Sequence, residues 1–311
     1  MKTRPFKQVD VFTDTAYLGN PLAVVLDGSD LSTEDMQHFA HWTNLSETTF
    51  LLPPTPQGQA QGADYQVRIF TPGGELPFAG HPTLGSCHAW LQAGGKPQSA
   101  QHIVQECAKG LIQIRQDGSR LAFAAPSMRR STPEPTLVAA VAAALGLDPS
   151  LIITSQLLDN GPVWLTLLVS HADAILALEP DHATLRHLKQ NVGVAHMASA
   201  PNTSTLIARS NREARAFGAR TSPTDLANDV AQAQVRAFVA TAGVSEDPVT
   251  GSLNASLAQW LIADGLAPTS YIATQGTCLG RHGQVHITQD DSGQVWVGGD
   301  SVTCVEGSVV L

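Results

Sequence analysis

Residues 65–95 read YQVRIFTPGGELPFAGHPTLGSCHAWLQAGG, and residues 235–265 read VRAFVATAGVSEDPVTGSLNASLAQWLIADG. Slid by 170 residues, the two segments align without a gap and share seven identities in 31 positions. Among them are Thr71 with Thr241, Ser86 with Ser256, Trp90-Leu91 with Trp260-Leu261 and Gly95 with Gly265. The identities are few, but the parts come in one order: an apolar strand, a loop ending in small polar residues, and an amphipathic helix closed by glycine. The pattern predicts two related half-molecules.

The strand-to-helix junctions are Gly80-His81-Pro82-Thr83 and Thr250-Gly251-Ser252. Proline in a first helical turn has no N–H to lose, and a Thr250 or Ser252 hydroxyl can cap a helix. Each junction is expected to offer unpaired backbone N–H groups and the positive end of a helix dipole, with glycine admitting a ligand close to the backbone. Two such ends at one cleft would hold a carboxylate, each contributing about 0.3–1 kcal/mol and up to about 2 when partly buried. One copy alone reads as an ordinary capped helix; the repetition favours a site.

Outside these segments, residues 7–12 and 22–26 read as a hairpin about Gly19-Asn20-Pro21, and Ser32 caps a helix running to about Trp42. Strands are expected at 48–52, 102–106, 111–115 and 120–125, then a helix at 136–145 closed by Gly146. Strands at 151–157 and 163–169 flank the turn Asp159-Asn160-Gly161, followed by helical stretches at 172–178 and 181–190. Further strands are expected at 204–209, 215–219, 270–273, 285–288, 295–297 and 302–305. In the repeated helices the apolar residues, such as Leu84, Trp90, Leu253 and Trp260, cover more than one stripe, so both helices are buried on several sides. A sheet curled about a central helix meets that demand. The expected class is α+β, with two similar domains at 1–128 and 129–311, each a mostly antiparallel sheet around its helix. Whether the strands near Val305 cross back to the first half is left open.

A chain of 311 residues that is 43% hydrophobic can build two cores. Its net charge is −9 and its 18 Lys and Arg are scattered, which argues against nucleic acid and anionic membrane as partners. The start MKTRPFKQVDVF has no apolar signal region and no window approaches a membrane span, so a cytoplasmic protein is expected. Cys87, Cys107, Cys278 and Cys304 form no metal or redox spacing and read as reduced thiols. The pairs His38/His41 and His282/His286 lack a third ligand. Without a dinucleotide, Walker or nucleophile-elbow motif, no cofactor is expected.

Chemistry gathers near the junctions at Glu47, His81 and Asp247. Glu47, between Ser46 and Thr48 at the mouth of an apolar strand, suits a cleft wall where desolvation would raise its proton affinity; it also reads as an exposed turn glutamate. Asp247 reads as a site carboxylate or a loop aspartate, and His81 as a site residue or a packed ring. Pro77 falls opposite Asp247 and His81 opposite Gly251, so the repeat is chemically asymmetric and fits one catalytic carboxylate better than a matched pair.

These stretches together resemble the PhzF-type phenazine-biosynthesis isomerase family: residues 9–25 with Gly19-Asn20-Pro21, Ser46-Glu47-Thr48-Thr49-Phe50, Arg68-Ile69-Phe70-Thr71-Pro72, ELPFAGHPT at 75–83 and EDPVTGS at 246–252. The resemblance implies a diaminopimelate epimerase-like fold, a cleft between the halves, and a homodimer. It implies isomerisation of trans-2,3-dihydro-3-hydroxyanthranilate without a cofactor, or of another small carboxylate-bearing substrate, with Glu47 moving a proton between carbons. By the same resemblance His81 and Asp247 bind substrate, and Ser46, Gly80, Gly251 and Ser252 hold its polar groups. The chain carries extra material around 185–220 relative to the phenazine enzyme. Related epimerases place a thiol at each helix junction; here the junctions carry Gly80-His81 and Thr250-Gly251 instead. An epimerase, racemase or dehydratase using other groups, and a non-catalytic small-acid binder, are the alternatives.

Overall fold

The computed structural model of the protein describes residues 1–198, 232–239 and 245–311. The first stretch folds as β1 (Thr3–Val11), β2 (Asn20–Val25), α1 (Thr33–Thr43), β3 (Glu47–Leu52), α2 (Pro56–Ala60), β4 (Tyr65–Thr71), β5 (Gly74–Leu76) and α3 (Gly80–Gln92). It continues through β6 (Ile103–Cys107), β7 (Gly110–Asp117), β8 (Arg120–Ala124), β9 (Arg129–Ser131), α4 (Pro135–Leu145), β10 (Ile152–Asp159) and β11 (Val163–Val169). Then come α5 (Ala172–Leu176), α6 (His182–Leu188), β12 (Asn191–Met197), β13 (Ala233–Val239), α7 (Gly251–Ala263), β14 (Ser270–Gln275), β15 (Gly283–Gln289), β16 (Val295–Gly299) and β17 (Ser301–Val310).

Local chemistry sets the boundaries. Ser32 accepts from the Asp35 N–H while the Asp35 carboxylate accepts from the Ser32 N–H, a capping box that starts α1, and Asn44 ends it in the left-handed region at φ 54°. Gly146, at φ 66°, ends α4 in the same way. Hairpin β1–β2 forms as expected, with Phe6 opposite Val25 and Val11 opposite Asn20. The strand β12 was not expected: Asn191–Met197 interrupts its apolar run with glycine and histidine, yet it fills a parallel position beside β11 and an antiparallel one beside β13. The strands expected at 204–209 and 215–219, and the extra material beyond residue 198, lie outside the described residues.

Most pairings are antiparallel; β2–β3, β4–β6, β11–β12 and β13–β14 are parallel. The C-terminal strands do cross back, with β17 running along β1 from Thr3↔Val310 to Val11↔Ser301 and β16 along β8. Inside this sheet lie α3 and α7, buried on all but their C-terminal edges. Leu84 and Trp260 are fully enclosed, and burying one large apolar side chain stabilises a fold by about 1.5–3 kcal/mol. A second cluster packs α4, α5 and α6 against β11, β12 and β13, and a third packs α1 on β3 and β4.

The two central helices match one residue away from the gapless alignment. Gly80 and Gly251 open them, and Gly94 and Gly265, both at positive φ, follow them. The helix starts touch: a Cβ on Gly80 would lie 2.8 Å from the Gly251 Cα, and one on Gly251 2.8 Å from the Gly80 Cα. Glycine at these positions therefore serves the approach of two backbones to each other.

Candidate active site

Neither central helix is capped by a side chain. Thr250 stands at the cap position of α7, but its hydroxyl donates to Asp247 rather than accepting from the helix, contrary to the capping role expected for it. The first-turn N–H groups of both helices are thus left without the usual side-chain acceptor. Beside these two starts is a cavity of about 790 Å³ lined by Ser46, Glu47, Ala79, Asp247, Thr250 and Ser252 among others. Its volume lies within the range of small-molecule sites.

Glu47 begins β3, opposite Leu22 of β2. Its side chain is 15% exposed, with Oε2 buried 3.4 Å from the His81 Nε2 and too poorly aligned to be counted as hydrogen-bonded. Oε1 is the oxygen left to the cavity. His81, on the first turn of α3, is 4% exposed. Its Nδ1 lies 3.3 Å from the Asn20 amide nitrogen. That nitrogen also donates to Asp247 Oδ1 at 2.8 Å and to the Val249 carbonyl at 2.9 Å, which fixes it as the NH₂ end of the amide. A second N–H facing it would clash, so Nδ1 is the bare nitrogen of His81 and Nε2–H is turned to Glu47. Burial pushes the imidazole down to about 3, leaving the ring neutral.

Asp247 is fixed from several directions. Its N–H donates to the Ala237 carbonyl of β13 at 2.9 Å. The preceding residue, Glu246, accepts two bonds from Arg236, Nε to Oε1 at 2.9 Å and Nη2 to Oε2 at 2.8 Å. Both side chains of that pair are under a tenth exposed, and the Arg236 Nη1 donates to the Ile175 and Leu178 carbonyls at the end of α5. The Asp247 carboxylate accepts from Asn20 through Oδ1 and from the Thr250 hydroxyl through Oδ2 at 2.6 Å.

Burial raises the proton affinity of both carboxyl groups, but unequally. Glu47 is pushed well up, first by desolvation and then by the Asp247 charge. Asp247 is raised by desolvation to about 6, with the Thr250 and Asn20 bonds opposing the rise. Both groups line one cavity and the Asp247 charge raises Glu47, and of two interacting carboxyl groups the one with fewer donors binds a proton more readily. The directions favour the proton on Glu47 and the charge on Asp247. Such an arrangement can move a proton on a small acidic molecule held by the helix ends.

Of the residues expected at the site, Ser46, Glu47, Asp247 and Ser252 line the cavity. His81 sits behind Glu47, and Gly80 and Gly251 lie behind the helix starts where they touch. Sequence reasoning missed Asn20, Gln275, Asn160 and Trp164. Asn20 was seen as a turn residue, yet it opens β2 fully buried. The Asn160 amide donates to the Ser252 carbonyl at 2.9 Å, and the turn that carries it, with Trp164 of β11, forms one wall. Gln275 is a buried amide closing an apolar strand, the one local sign that it has polar partners to satisfy. Burial pushes the Cys87 thiol up to about 12, and among the described residues no cysteine lines the cavity.

A cavity lined by carboxyl groups lies at paired helix ends, inside a sheet wrapped on two central helices. The model for phenazine biosynthesis-like proteins matches residues 9–307, and the chain belongs to that family as an isomerase of PhzF type. Antisense-enhancing sequence 1 of Schizosaccharomyces pombe is 34% identical over 324 aligned positions, covering 99% of each chain. Trans-2,3-dihydro-3-hydroxyanthranilate isomerase of Pseudomonas aeruginosa is 38% identical over 183 positions, 57% of this chain and 61% of that one. The crystal structure of the PhzF-family phenazine biosynthesis protein of Bacillus anthracis superposes with a TM-score of 0.78 over 100% of both chains at 20% identity. At that identity the likeness concerns the fold, and the expected diaminopimelate epimerase-like architecture is the one present. Among the described residues no helix is long and apolar enough to cross a membrane.

Proposed function

We propose that the protein is a cofactor-independent isomerase that shifts a proton between carbons of a small carboxylate-bearing substrate of the dihydro-hydroxyanthranilate type. One observation carries the reading: Glu47, at the cavity wall, has one oxygen buried against His81, while Asp247 on the same wall has both oxygens taken by donors from Asn20 and Thr250. Glu47 is the single acid and base. Protonated, it delivers a proton to one carbon; ionised, it removes one from another, so the double bonds move and the enzyme returns to its starting form. A proton affinity raised toward neutrality serves both halves of that exchange. The helix-start N–H groups, with Ser46 and Ser252, hold the substrate carboxylate. His81 acts behind Glu47 rather than on the substrate. We read the protein further as a cytoplasmic homodimer, each chain of which has its two similar halves at residues 1–128 and 129–311.

Proton NMR of trans-2,3-dihydro-3-hydroxyanthranilate incubated with the protein tests the substrate class. Loss of its ring signals at an enzyme-dependent rate is the expected result. If the compound stays intact, this substrate is wrong, and a thermal-shift series against small carboxylates then separates an isomerase of another acid from a small-acid binder.

A further inference from the structure

Gln275, the last residue of β14, is fully buried and makes four hydrogen bonds. Its Nε2 donates to the Asp247 carbonyl at 3.0 Å and to the Thr250 Oγ1 at 2.9 Å. Its Oε1 accepts from the Thr250 backbone N–H at 3.1 Å and from the Asn254 amide at 2.9 Å. The two backbone partners leave no freedom. A backbone N–H can only donate and a carbonyl can only accept, so the amide cannot be turned over without two clashes. Asn254 is fixed in the same way, because its nitrogen also donates to the Thr250 carbonyl at 2.9 Å.

A consequence follows at Thr250. Its oxygen already accepts from Gln275, so its single hydroxyl hydrogen is directed to the neighbour at 2.6 Å, the Asp247 Oδ2. Asn20 occupies Asp247 Oδ1 with an equally unambiguous N–H. Both Asp247 oxygens thus receive donors, while Glu47 has only the misaligned Nε2–H of His81 nearby. Beside Asp247, Glu246 and Arg236 are tied to each other, and the first turn of α7 adds no acidic residue; His41, Lys109 and Glu75, the last paired with Arg68, line the same cavity.

We propose that Gln275 and Thr250 form a one-way hydrogen-bond relay that commits Asp247 to the role of acceptor and so leaves the proton of the site on Glu47. They are positioning residues for the acid–base step, and the assignment rests on the isomerase reading for its purpose though not for its geometry. Thr250 and Asp247 line the cavity, and Gln275 stands outside its lining. Gln275 sets the direction of Thr250, Thr250 that of Asp247, and Asp247 decides which carboxyl keeps the proton.

The test is a ¹³C NMR titration of the side-chain carboxyls in substrate-free protein, with resonances assigned through Asp247→Asn and Glu47→Gln. In the wild type Asp247 is expected to lose its proton at lower pH than Glu47. Thr250→Val removes the donor while keeping the shape, and should raise the Asp247 midpoint by about one pH unit; Thr250→Ser keeps the donor and should restore the wild-type value. A wild-type titration in which Glu47 ionises before Asp247 overturns the proposal whether or not the valine variant folds. So does a folded Thr250→Val whose Asp247 midpoint stays within about 0.3 units of wild type, a change worth under half a kcal/mol. Failure of the isomerase reading is a separate result: turnover retained by Glu47→Gln would end that reading and leave the titration order standing.

Discussion

The starts of α3 and α7 are alike in backbone and opposite in chemistry. Both begin with glycine, both lack a side-chain cap, and they touch through those glycines. Around the first stands Glu47, which strand β3 delivers with no aligned donor of its own. Around the second stands Asp247, bonded by Asn20 and Thr250 and seated on a chain segment anchored through Glu246 and Arg236. Paired helix ends supply attraction for an anion from two sides, whereas unequal furnishing of their surroundings puts one proton in one place. A repeat that kept both the helices and the carboxylates symmetric would leave the shared proton without a preferred owner.

The rigid side of this contrast breaks most visibly at Arg236. Arg236→Met leaves Glu246 buried and uncompensated, and chemical denaturation should show a loss of about 3–5 kcal/mol. Replacing both partners by apolar residues should recover much of it, since the pair is costly to desolvate as well as to break. The backbone likeness is tested at the glycines. Gly80→Ala and Gly251→Ala each put a methyl 2.8 Å from the other helix start, and both should cost about 1–3 kcal/mol in the same assay. Gly74→Ala, where no atom lies within 4 Å, serves as the control and should stay within about 0.5 kcal/mol of wild type. Unequal losses at Gly80 and Gly251 would weaken the picture of mutual approach.

A smaller effect reports the proton itself. The folded-state affinity of Glu47 is raised above its ordinary value of 4.5. Its contribution to stability is therefore complete below that pH, where folded and unfolded chains are both protonated. It is lost as pH rises through the folded value, because the unfolded chain then ionises freely and the buried group does not. Glutamine cannot ionise, so the melting temperature of Glu47→Gln should gain on wild type between pH 4 and pH 8. A difference that stays flat or falls over that window contradicts a protonated Glu47.

Much of this was legible in the chain. Caps such as Ser32 and Gly146 announce themselves locally, and the repeat marks both central helices. Glu47 and Asp247 stand out by their place at the mouth of an apolar strand and beside a helix start, whereas the roles of Ser46 and Ser252 come from the family resemblance. What stayed hidden depends on distant pairing. The single-residue shift of the helix match follows from the contact of Gly80 with Gly251, which the gapless alignment cannot see. Asn20 and Gln275 look like a turn residue and a strand end, and acquire their roles only when β2 and β14 are brought to Asp247. Strand β12 carries a weak local pattern and is held by its neighbours on both sides.

The account turns on Glu47 as the group that carries the proton, and the most direct measurement is conversion of trans-2,3-dihydro-3-hydroxyanthranilate in deuterated water, wild type beside Glu47→Gln. Wild-type protein should give product carrying solvent deuterium on a ring carbon, and the variant should be slower by about 10²–10⁴-fold while still binding. Conversion by Glu47→Gln at close to the wild-type rate would contradict it.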